Sequence, residues 1–135
     1  MCLKVNGKPK FKKVGKDIKC YKVIRDHGNN IYSAPYHMMV ITLGKEYKTG
    51  AEKMDFTYSK EKNQTIIRGD AFHSFLKKED AVALASELSK TIRCDDNFTY
   101  KVVECSLGKE NIAIKGLFKE YESICSDTIK YEKII

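Results

Sequence analysis

Three kinds of side chain in this sequence could do chemistry: a histidine set among aromatic residues, a run of lysines interleaved with tyrosines, and five scattered cysteines. His73 lies between Phe72 and Phe75, just after Arg68-Gly69-Asp70. An imidazole at a strand-to-helix junction can hydrogen-bond a phosphate or act as a general base. Its plainer role is a ring bonded to a backbone carbonyl at the edge of the core. The cysteines are Cys2, Cys20, Cys94, Cys105 and Cys125, with long, irregular gaps and no Cys-x-x-Cys pair. That spacing predicts no metal site. Cys20 and Cys105 sit in apolar, strand-like runs, where a free thiol behaves as a small buried hydrophobe. Cys2 would become an N-terminal nucleophile if Met1 were removed, but Met1 precedes it in this chain. There is no Gly-rich phosphate loop, no Gly-x-Ser-x-Gly elbow and no His-Glu-x-x-His helix. No catalytic residue and no cofactor are therefore expected, and an enzyme reading rests on His73 with Glu104 or a cysteine.

The lysines form a sharper pattern. The whole chain carries a net charge of +7, yet residues 1–25 alone hold eight lysines and one arginine against a single acid, Asp17. The remaining residues are close to neutral, so the positive field belongs to one segment. Such a field draws phosphates, nucleic acids or acidic proteins. A solvated lysine edge that keeps the protein soluble is the plainer account. Lys10, Lys12 and Lys13 are the expected polyanion contacts. Tyr21, Tyr32 and Tyr36 adjoin the basic segment, and aromatic rings beside ammonium groups can stack bases while the lysines meet phosphates. Only three arginines are present, Arg25, Arg68 and Arg93. Base-specific DNA reading favours the bidentate guanidinium, so it is not expected. These residues assemble into one expected ligand site: His73, Tyr21, Lys19, Tyr36 and Arg68. In it a phosphate meets His73 and Lys19 while a base stacks on Tyr21. The arrangement requires Phe72 to pack under the helix, leaving His73 free to turn toward a pocket shared with Tyr21.

The elements that must position these groups follow from periodicity. Apolar residues at Ala81, Leu84, Ala85, Leu88 and Ile92 recur at helical spacing and predict one amphipathic helix over about 78–93. Glu79 and Asp80 at its start, with Lys90 and Arg93 at its end, complement the helix dipole. Strand-like runs cover 18–24, 31–34, 38–43, 54–59, 65–68, 71–75, 99–105, 112–115 and 128–135. Residues 117–125 fit either a strand or a short helix. Residues 1–17 are polar, broken by Gly7, Pro9 and Gly15, and are expected to be a short strand and then a loose basic segment. Strands, one helix and more strands imply an α+β fold, a mainly antiparallel sheet with the helix on one face, within a single domain of 1–135. No stretch is long enough to span a bilayer, and the first residues lack a secretory h-region. A cytoplasmic protein is expected, consistent with its unpaired cysteines.

Several short pieces together carry a resemblance: Cys20-Tyr21-Lys22-Val23, the Tyr32-to-Tyr36 segment with Pro35, Tyr47 before Gly50, Phe72-His73-Ser74-Phe75, Val102-Val103-Glu104-Cys105 and Ser123-Ile124-Cys125-Ser126. The pattern resembles a loose group of short, uncharacterised proteins of bacteria and their phages. The resemblance implies a compact α+β domain of phage or mobile-element origin and assigns no activity. Two readings compete. One is a non-enzymatic binding module for an anionic, nucleotide-like ligand, in the setting of a phage protein countering host defence. The other is an interaction or inhibitor module docking on an acidic or nucleic-acid-associated host protein.

Overall fold

The computed structural model describes residues 3–35, 39–49, 54–69 and 71–135, except for the side chains of 54, 55, 68 and 69. It is mostly antiparallel sheet with a single helix. The strands in chain order are β1 (Leu3–Asn6), β2 (Lys12–Lys13), β3 (Ile18–Asp26), β4 (Tyr32–Ser33), β5 (Val40–Ile41), β6 (Glu46–Lys48), β7 (Met54–Ser59), β8 (Gln64–Gly69) and β9 (Phe72–Phe75). The helix α1 (Lys78–Ser89) follows, and then β10 (Thr99–Leu107), β11 (Ile112–Phe118), β12 (Tyr121–Ser126) and β13 (Thr128–Ile134). The long strands form one path, β6-β13-β10-β3-β9-β12-β11-β1-β8-β7, with β2 beside β11, β4 beside β3 and β5 beside β4.

Each element has a local cause. Ile18 to Ile24 is rich in β-branched and apolar residues, and β3 pairs with β10 along its whole length, from Thr99↔Asp26 to Leu107↔Ile18. The β7–β8 hairpin turns at Asn63, whose φ of 47° is a left-handed position that asparagine tolerates. The ambiguous 117–125 stretch is strand on both sides of a two-residue turn at Lys119 and Glu120, and β11 pairs with β12 from Ala113↔Ser126 to Phe118↔Tyr121.

The helix is shorter than its apolar stripe predicts. It ends at Ser89, and Thr91 closes the last turn by donating both its N–H and its Oγ1 hydroxyl to the Leu88 carbonyl. Lys90 and Arg93 therefore lie outside the last turn, and Ile92 falls beyond the helix. The start has no side-chain cap at Lys77, while Glu79 and Asp80 occupy the first turn.

Among the described residues three apolar clusters form the core. Ala81, Leu84 and Ala85 of α1 meet Val23, Phe75 and Val102, with Leu88 and Tyr21 partly buried at the margin. The largest cluster joins Cys20, Ile24, Phe72, Val103, Cys105 and Tyr131 with Ala113, Ile124 and Ile129. A third gathers Leu3, Ile67, Ala71, Ile114 and Cys125.

The basic first segment is fastened at several points. β1 lies inside the sheet, pairing with β8 along Leu3↔Ile67 to Asn6↔Gln64 and touching β11 at Lys4↔Leu117. Gly7 donates its N–H to the Asn63 carbonyl at 2.7 Å, and its own carbonyl accepts from the Thr65 hydroxyl at 2.6 Å. Further on, β2 pairs with Ile112 and Ala113 of β11. Val14 then donates to the Asn111 carbonyl at 2.8 Å and Gly15 to the Lys109 carbonyl at 2.9 Å.

Candidate functional site

The basic arm and the strand it crosses enclose a half-open groove. β1 and β2 both lie along β11, and residues 7–11 bridge the interval between them. The groove beneath has a volume of about 640 Å³. Five lysines line it: Lys10, Lys12, Lys13 and Lys16 from the arm, and Lys115 from β11. Its floor is aliphatic, made by Val5, Val14, Ile18, Ala113, Ile114 and Ile124. Ala113, Ile114 and Ile124 are almost sealed, at 7%, 6% and 1% exposure, so the floor is continuous with the core.

Charge in the groove is barely compensated. Lys13 pairs with Glu110 at 2.8 Å, and the hydrogen bond to that carboxylate raises its pKa. Among the described residues no carboxylate comes within ion-pair distance of Lys10, Lys12, Lys16 or Lys115. Four ammonium groups around an apolar floor attract an anion and do so more strongly at low salt. Among the described residues the lining carries no histidine, thiol, hydroxyl or carboxylate side chain.

The expected His73–Tyr21 site is arranged differently. β9 sets Tyr21 opposite Phe75 and His73 opposite Cys125. It is Phe75, not Phe72, that packs under α1, with its ring 5.9 Å from Phe118 and 5.7 Å from Tyr121. Phe72 belongs to the large cluster on the other face. The pairing with β3 sets this parity: a strand alternates its faces, so Phe75 beside Tyr21 commits Phe72 to the opposite side. His73 is buried at 4% exposure, and Tyr21 is half-buried beside the helix cluster. Neither residue lines this groove or the second described cavity. The Cys125 thiol across from His73 is pushed up to about 12 by burial, so it stays protonated and is a poor nucleophile. Lys19 extends from β3 and pairs loosely with Glu104 at 3.8 Å. Tyr36 and the Arg68 side chain, like Cys2, lie outside the described residues.

A second, shallower cavity of about 370 Å³ is lined by Asp26, His27, Asp96, Asn97, Phe98 and Lys101, among others. The Arg25 guanidinium beside it is stacked on Phe98 at 4.5 Å. Its charges are mixed and favour no class of ligand. Among the described residues no group of His, Cys, Asp and Glu could hold a metal ion.

Sequence reasoning found Lys10, Lys12 and Lys13 and missed Lys16, Lys115 and the aliphatic floor. Lys115 is brought to the arm by pairing between segments about a hundred residues apart, which no local pattern announces. Compared with known proteins, the chain matches no family model, no curated protein and no solved structure.

Proposed function

We propose that the protein is a non-enzymatic binding module for an anionic small molecule, and that the anion sits in the lysine-lined groove. One observation carries the reading: five lysines from two distant segments converge on one concave surface, and four of them have no carboxylate partner among the described residues. A lysine edge serving only solubility would spread its charges over a convex face. The volume is also within the usual range of small-molecule sites, roughly 300–1,000 Å³. The stacked-base part of the nucleotide expectation loses support, because Tyr21 and His73 are elsewhere.

The test is calorimetry with a panel of nucleotides, cyclic nucleotides, tripolyphosphate and small carboxylates. The wild type is compared with a Lys10→Gln, Lys12→Gln, Lys16→Gln variant. Binding that weakens with salt and is lost in the variant is the expected outcome. No heat from any anion at millimolar concentration overturns the reading, and so does undiminished binding by the variant.

A further inference from the structure

We infer that the anion held in this groove is an amphiphile of the fatty-acid class, a single carboxylate on a flexible aliphatic body. The inference rests on the anion-binding reading above. It starts from what the groove divides. Ala113 and Ile124, with Val14 and Ile18 packed against them, belong to the largest apolar cluster. Ile114, with Val5 packed against it, belongs to the cluster under β1. The groove therefore draws its lining from both clusters, with Ala113 and Ile124 on one face of β11 and β12 and Ile114 on the other. A saturated chain laid in the groove covers apolar groups of both and removes them from water.

The chemistry of the lining selects against the alternatives. Among the described residues no aromatic ring lines the groove. Sites that hold nucleobases without base-edge readout depend on stacking against such rings. The cations among the described residues are all lysines, compact point charges without the planar fork that grips phosphate at two points. The single helix lies against Val23, Phe75 and Val102, so its N-terminus offers no phosphate cradle to the groove. Lysine suits an amphiphile in a further way. Its methylene stem extends the apolar wall upward while the ammonium stays at the mouth, where a carboxylate head would lie.

The experiment measures binding of monomeric dodecanoate below its micelle concentration, with octanoate, dodecanol and tripolyphosphate alongside. Dodecanoate is expected to bind about tenfold or more tightly than octanoate, because each buried methylene adds to affinity. It should also bind more tightly than uncharged dodecanol. Val14→Glu should weaken dodecanoate by about tenfold, since a carboxylate on the floor must lose its water beside the alkyl chain, and its negative charge should weaken tripolyphosphate as well. Lys12→Gln with Lys16→Gln should weaken both, which covers the case that Val14→Glu fails to fold. Tripolyphosphate or nucleotide binding without dodecanoate binding overturns this inference and leaves the anion reading standing. Failure of every ligand overturns both. Capture by anionic phosphatidylglycerol vesicles with no binding of the monomer also overturns the inference, since the ligand is then a membrane surface.

Discussion

Lys22 is the residue whose setting most departs from its type. It is 9% exposed, on the face of β3 that also carries Cys20 and Ile24. Its ammonium lies 6.0 Å from the ring centres of both Phe72 and Tyr131. Among the described residues no carboxylate pairs with it. Burial lowers its pKa, against a smaller opposing pull from the nearby Cys105, Cys20 and Cys125 sulfurs. The folded state therefore holds this proton less tightly than the unfolded chain, and the site opposes folding at neutral pH. Lys22→Met, which keeps the stem and removes the charge, should raise unfolding free energy at pH 7 by about 1–3 kcal/mol. The gain should shrink as pH approaches the lysine's ordinary 10.5, where the unfolded amine also becomes neutral. Urea denaturation at several pH values checks both the gain and its disappearance.

Two of the buried thiols shift in the opposite sense. Burial lifts Cys125 from 9.0 to about 12 and carries Cys105 well above its ordinary value. Cys20 is held below that value by its hydrogen bond with Cys105. A raised thiol contributes stability that is complete below pH 9 and is lost as pH climbs toward the folded value. Between pH 9 and 11 the wild type should lose stability faster than Cys125→Val, by about 1.4 kcal/mol per pH unit. Parallel decline of the two proteins in guanidinium titrations would remove Cys125 as the cause.

At the scale of elements, the arm depends on one close approach. A Cβ at Gly116 of β11 would lie 2.5 Å from the Lys4 carbonyl oxygen and 2.8 Å from a Val5 methyl. The nearest obstacle is backbone, so it cannot swing aside. Gly116→Ala should cost about 1–3 kcal/mol, and the loss should be concentrated in β1. Hydrogen exchange at the β1 amides is the discriminating readout, with the α1 amides as the internal control.

Much of this level was legible. β3, β10 and the β7–β8 hairpin follow from β-branched runs and turn residues, and α1 from its apolar stripe. The overrun of α1 came from Ile92, which continues the period although Thr91 has already closed the turn. β6 was hidden because it has only three residues, of which only Tyr47 is apolar. The sequence supports β1 only as a short strand because its apolar content is Leu3 and Val5; its interior position comes from β8 and β11, far along the chain. The candidate site divides in the same way. The arm lysines stand in plain sequence, whereas the floor exists only after β3, β11 and β12 have been brought together. The expected packing of Phe72 under the helix failed at a parity set by Phe75 meeting Tyr21, which places His73 on the helix side with Tyr21 and turns Phe72 to the other.

For the molecule as a whole, the charge imbalance of the sequence becomes a spatial one. The arm's lysines are gathered on one side of the sheet's β11 region, and Lys115 reinforces them. No helix among the described residues is long and apolar enough to cross a membrane. The α1 cluster is a separate packing unit, so changes at the groove need not disturb the helix side.

The placement of β1 between β8 and β11 also bears on how the chain is made. Lys4 meets its partner Leu117 only after more than a hundred further residues have been synthesised. At about 5–20 residues per second, that leaves the arm without this neighbour for on the order of ten seconds on a translating ribosome. An unpaired strand in that interval is a template for another chain's edge, and lysine is the residue that natural sheets place on edges to prevent such pairing. Positive charge on and beside β1 disfavours such pairing during the interval before its partners emerge.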